Sequence, residues 1–75
     1  MSNKARQPAP RGEEIQSLIK GIAVIKAFGP EHPKRTLTEV ARSTGLYRAA
    51  ARRVLLTLKS LDYVANDERY FRLQP

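Results

Sequence analysis

The stretch GLYRAAARR, Gly45 to Arg53, decides how this chain folds. Alanine is the best intrinsic helix former and glycine nearly the worst, so the Gly45–Leu46 step predicts the end of one helix and the start of another. Three consecutive alanines between arginines then give a helix whose cationic side chains have little bulk beside them. Such a surface can lie close against another large object.

Downstream, the new helix is expected from about Tyr47 to Leu61. Ala50, Ala51, Val54, Leu58 and Leu61 cluster within about a third of the circumference and predict its buried face. Arg48, Ala49, Arg52, Leu56 and Lys59 fall on the opposite side, with the charge near the amino end. Upstream, Thr36–Leu37 suggests a short extended stretch, and Thr38 is expected to cap a short helix, Glu39–Thr44, that buries Val40 and Ala41. Earlier still, Ile15, Leu18, Ile22 and Ile25 recur at helical spacing as the core face of a first helix, with Glu13 and Glu14 at its positive end. Gly29 is expected to close that helix in the left-handed conformation, and Pro30 and Pro33 prevent its continuation. The same segment also fits a basic amphipathic membrane-surface helix through Lys20 and Lys26, but later elements need a partner for their own apolar faces, which favours the core. Beyond helix 3, Tyr63–Ala65 and Arg69–Leu73 flank the polar turn Asn66-Asp67-Glu68 and read as a hairpin. Helix, helix, turn, helix, hairpin predicts a mainly α domain with a small β-hairpin, a winged helix-turn-helix of three helices plus wing.

Size and charge narrow the function. The chain has 75 residues and no cysteine, so one small core must hold it without disulfide or thiolate metal site. No apolar run reaches bilayer length and the amino terminus lacks a secretory apolar stretch, which predicts a cytoplasmic chain without membrane partners. Fourteen Lys and Arg against seven Asp and Glu give +7. Seven of the basic residues lie between Lys34 and Lys59, where Glu39 is the one acid. This is the charge distribution of a polyanion binder. Residues 1–12, with Lys4, Arg6 and Arg11, read as a disordered basic arm, and residues 13–75 as the folded domain.

The major groove of B-DNA, about 12 Å wide, admits one α-helix whose amino-terminal residues meet base edges while the preceding helix crosses the backbone. Arginine's planar fork suits guanine O6 and N7, and a small residue lets the helix backbone come close. Of the three alanines, Ala50 and Ala51 fall on the packed face, which leaves Ala49 to face DNA. The order SLIKGIAVIKAFG, TLTEVARSTGL, RRVLLTLKSLDYV, RYFRLQP closely resembles the amino-terminal DNA-binding domain of the IclR family of bacterial transcription regulators, over about Ser17 to Pro75.

The resemblance implies a winged helix-turn-helix reading double-stranded DNA, as repressor or activator, in a homo-oligomer controlled by a small carbon metabolite. Carried over by position, it puts the recognition helix on Tyr47–Leu61, with Tyr47, Arg48, Ala49, Arg52 and Arg53 as groove candidates. Thr38 offers donors to a phosphate at the start of helix 2, and Arg69 sits on the wing near phosphates or the minor groove. Three positions depart from the family: Tyr47 replaces a small hydroxyl cap, Asp62 a helix-ending glycine, and Glu68 a wing glycine. The family's regulators continue through a linking helix into a ligand-binding domain, whereas this chain ends at Pro75. It is therefore expected to be an excised domain or a naturally short protein, mainly monomeric by itself, with no metabolite site among these residues.

Two other functions fit less well. Helix 3 could dock a protein through exposed Leu56, which does not require the charge concentrated beside Gly45, and nonspecific binding of RNA or a membrane surface by the arm with helix 1 comes third. No enzyme, cofactor or metal signature is present. The single histidine, His32, lies between prolines without cysteine or clustered carboxylates and reads as a loop residue.

Overall fold

Helix α1 spans Gln16–Lys26 in the computed structural model, which describes residues 13–75, so the expected arm lies outside the described residues. Only Val24 within α1 is buried, followed by Ala27 and Phe28 just beyond its end. Ile15, Leu18, Ile19 and Ile22 are exposed, and Ile25 packs at the edge of the core. The expected core face is thus turned by part of a circumference. The rest of so small a body is a single layer against α1 and cannot cover both sides of an isoleucine-rich helix.

The end of α1 also differs from expectation. Its last turn tightens, with the Ala27 amide donating to the Val24 carbonyl at 3.0 Å and that of Phe28 to Ile25 at 3.2 Å. These bonds satisfy terminal carbonyls without a left-handed residue. Gly29 has no positive φ and instead exchanges backbone hydrogen bonds with His32, at 3.2 and 2.9 Å, around Pro30 and Glu31.

Strand β1 is Arg35–Thr36 and leads directly into α2, Leu37–Thr44. The cap of α2 is Thr36, not Thr38: a full capping box with Glu39 starts the helix two residues early. Helix α3 covers Arg48–Ser60, with Tyr47 and Leu61 as its flanking caps. After it, Asp62 adopts φ 66° while the Tyr63 amide reaches the Leu58 carbonyl at 2.9 Å and the Asp62 amide reaches Lys59 at 3.0 Å. This is the paired-bond ending that usually employs glycine, with aspartate in its place.

Strands β2, Val64–Asp67, and β3, Tyr70–Leu73, form the expected hairpin. The sheet has a third member, because β1 pairs antiparallel with β3 and gives the order β1-β3-β2, with Arg35 opposite Phe71 and Asn66 opposite the same Phe71. Val24, Phe28, Val40, Ala41, Ala51, Leu55, Leu58, Val64 and Phe71 make one core shared by all three helices and the hairpin. Three helices and a small sheet in this order form a winged helix-turn-helix.

Candidate nucleic-acid interface

The turn between α2 and α3 is fixed from both sides. Gly45 takes φ 77° and its amide donates to the Ala41 carbonyl at 3.0 Å, closing α2 in the left-handed conformation expected of it. The Thr44 hydroxyl donates to the Val40 carbonyl at 2.8 Å and accepts from the Leu46 amide at 3.3 Å, which ties the turn to the last turn of α2. Val40 and Ala41 of α2 then share the core with Ala51 and Leu55 of α3. Ala51 is wholly buried, so its lack of side-chain bulk lets the two helices approach.

The buried residues of α3 are Ala51, Leu55 and Leu58, with Ala50 and Val54 half-buried. Leu55 is 0 % exposed although the spacing did not assign it to the core, and Leu61 is 58 % exposed although it did. Val64 and Phe71 of the hairpin share the core with Leu55, while Leu61 already belongs to the turn leaving the helix. At about 100° per residue the buried stripe therefore centres between Ala51 and Leu58, and the outward direction carries Ala49, Arg53, Leu56 and Ser60. Arg48, Arg52 and Lys59 form a flank beside that face.

The seven residues singled out from the sequence separate into groups. Thr38, Arg48 and Arg69 line one open cleft of about 530 Å³ between the start of α2, the start of α3 and the hairpin, with Phe71 at its floor. In it the Arg48 Nε donates to the Thr38 hydroxyl at 3.2 Å. Arg53 instead edges a larger groove, about 650 Å³, between α1 and α3, where Ile22, Ile25 and Val54 supply apolar walls and Lys20 a second cation. Ala49 and Arg52 are exposed on α3. Tyr47 precedes the helix with an extended backbone (φ −66°, ψ 151°), makes no side-chain cap and is 88 % exposed.

On the hairpin, Arg69 occupies the turn and lies 5.8 Å from the Tyr70 ring centroid, while the Lys34 ammonium lies 5.4 Å from the same centroid. Lys34 was counted in the basic segment but given no place in the site. What joins it to the wing is the β1–β3 pairing, which the sequence signalled one residue late, as an extended step at Thr36–Leu37. The turn acid Glu68 has φ 58°, and the Asn66 side-chain amide donates to the Glu68 and Tyr70 carbonyls, both at 3.0 Å, holding that backbone in place. Glu39 is the acid of the cleft. Its carboxyl is held below the usual carboxylate range, chiefly by the Thr36 amide donating to it and further by the Thr36 hydroxyl, Arg35 and Arg69. Among the described residues there is no cluster of potential metal ligands and no helix long and apolar enough to cross a membrane.

Residues 17–68 match the IclR helix-turn-helix domain family. The chain is 49% identical over 59 residues to the p-hydroxybenzoate hydroxylase transcriptional activator of Acinetobacter baylyi, covering 79% of this chain and 22% of the relative. It is 38% identical over 76 residues to the Pca operon regulatory protein of the same organism, covering all of this chain and 27% of that protein. The crystal structure of an IclR-family transcriptional regulator from Brucella abortus superposes with a TM-score of 0.82 at 26% identity, over 85% of this chain and 25% of that one. This chain therefore spans about a quarter of the length of the relatives it matches.

Proposed function

The chain belongs to the IclR helix-turn-helix family of transcription regulators, and from that premise we propose that it reads double-stranded DNA sequence-specifically by laying the amino end of α3 in the major groove. The observation that carries the reading is the exposed side of α3, where Arg52 and Arg53 stand beside Ala49 on a helix whose other side is locked into the core. A rigid helix with cationic forks and a small residue at its outward end meets the groove's width and its guanine acceptors. Arg69 is suited to a phosphate of a strand bordering the groove, and Thr38 lines the same cleft in contact with Arg48. Tyr47 projects ahead of the helix as a further contact.

The partner is duplex DNA. Transcriptional activation and operon regulation are what the longer relatives are named for; for this chain the reading is limited to the DNA-binding step, in the cytoplasm, without enzymatic activity. A single domain binds weakly and mainly as a monomer, whereas two domains tethered in one regulator gain effective concentration on paired half-sites. Selection of bound sequences from random duplex DNA tests the reading. Enrichment of a short motif is expected, and Arg53→Ala should relax preference at one base pair of it, at a cost of about 1–3 kcal/mol. Recovery of unenriched sequence would refute it.

A further inference from the structure

Arg48 and Arg52 lie one helical turn apart and look equivalent in sequence, but the fold treats them differently. Arg48 is the first residue of α3, and its Nε is engaged by the Thr38 hydroxyl on the first turn of α2 at 3.2 Å. No protein hydrogen bond of this kind holds Arg52 or Arg53 among the described residues. A guanidinium has five donors in a rigid plane, so fixing Nε fixes the direction of the remaining fork. That fork opens into the cleft shared with Arg69, between α2, α3 and the hairpin.

The helix that Arg48 is tied to is the one that crosses the DNA backbone when a helix-turn-helix docks, while the amino-terminal part of the following helix meets base edges. At that end of α3 the outward face carries Ala49 and Arg53, and Arg48 lies on its flank, bonded to α2. The cleft is thus lined by two cations from different elements, Arg48 and Arg69, and by one carboxylate. That carboxylate, Glu39, accepts the Thr36 amide at 2.9 Å and also feels the charge of Arg69. One carboxylate cannot neutralise two arginines, so the cleft keeps a net positive charge that favours an anion of the size of a phosphate.

We infer that Arg48 is a positioning residue: together with Arg69 it holds one backbone phosphate at the seam of α2, α3 and the hairpin, and Thr38 aims it there. Base reading on α3 falls to Ala49 and Arg53, at the outward centre of the helix. The inference rests on the groove docking proposed above. It goes beyond that docking by separating the arginine that sets the register of the helix from those that read sequence.

Affinities of the 75-residue chain are measured for the motif enriched from random duplexes and for a scrambled duplex, across a salt series. Arg48→Ala is expected to weaken both duplexes equally, by about tenfold, and to reduce the salt slope by about one. Arg48→Lys should recover most of that loss, since a phosphate accepts a point charge whereas a bidentate base contact does not. Thr38→Val should weaken binding alone but add nothing to Arg48→Ala. Arg53→Ala, in contrast, should narrow the gap between the two duplexes. Loss of discrimination at one base pair in Arg48→Ala, failure of lysine to rescue, or independent losses from Thr38→Val and Arg48→Ala would each overturn the role given to Arg48 while leaving the docking intact. If the unaltered chain enriches no motif at all, the docking fails and this assignment fails with it.

Discussion

Thr36 and Glu39 exchange hydrogen bonds across the entrance to α2: the Thr36 amide donates to Glu39 Oε1 at 2.9 Å and the Glu39 amide donates to Thr36 Oγ1 at 3.2 Å. Thr36 is also the last residue of β1, opposite Tyr70. One residue thus ends a strand and begins a helix. Thr36→Ala is expected to cost about 1 kcal/mol in urea unfolding, the usual loss of a threonine cap. A change below about 0.3 kcal/mol would mean that the sheet, not the cap, positions α2.

The same pair makes stability depend on acid. The Glu39 carboxyl titrates below its ordinary value in the folded chain, chiefly because it accepts the Thr36 amide. A carboxylate depressed by folding contributes stability that is present above its unfolded pKa, about 4.3, and is lost as pH falls through the folded value. Urea midpoints measured from neutral pH down to about pH 2.5 should therefore decline in the acid range, and Glu39→Gln should flatten that part of the decline. An unchanged profile in Glu39→Gln would assign the acid sensitivity to other carboxylates.

Two left-handed residues that are not glycine invite stabilisation. Glu68→Gly should raise stability by about 0.5–1 kcal/mol, since glutamate has no side-chain device to ease φ 58°. Asp62→Gly should gain less, because aspartate tolerates that region better. Glu68→Gly also removes a negative charge beside Arg69, so duplex affinity at low salt should increase. Thermal melting and DNA titration of the two variants check both expectations; the Asn66 bonds go to backbone carbonyls and survive the change.

Leu55 and Leu61 test the orientation of α3. Leu55→Ala removes a wholly buried side chain and is expected to cost about 2–5 kcal/mol, enough to unfold much of so small a domain. Leu61→Ala should change stability by less than about 0.5 kcal/mol. Reversal of that order in denaturant unfolding would rotate the outward face back toward Arg48.

Duplex affinity should fall steeply with salt, as several cations displace counterions from phosphates. A titration from low to physiological salt shows this directly. A flat response would leave the basic segment from Lys34 to Lys59 without the partner its charge predicts.

What was legible in the sequence was local. The Gly45 turn, the length of α3 and the hairpin each follow from signals within a few residues, and all are found. The faces of α1 and α3 were less legible, because each helix carries apolar residues over more than half its circumference. Periodicity then cannot choose between Ile22 and Val24, or between Leu61 and Leu55, without knowing what lies opposite. The cap of α2 was misplaced because TLTE contains two threonines, and only the one three residues before Glu39 completes the reciprocal pair. The Arg48–Thr38 contact spans a turn whose geometry no spacing rule specifies, so two arginines on one helix looked alike.

The order β1-β3-β2 has a consequence in time. The middle strand of the sheet is the last to be synthesised, so β1 and β2 emerge from the ribosome with nothing beside them. Arg35 must wait for Phe71, 36 positions later, before its strand has a partner. Closing that distance costs chain entropy before any ladder bond is gained. Phe71 also completes the core beneath the hairpin. The nascent helices consequently gain their full burial only when Tyr70–Leu73 leaves the exit tunnel.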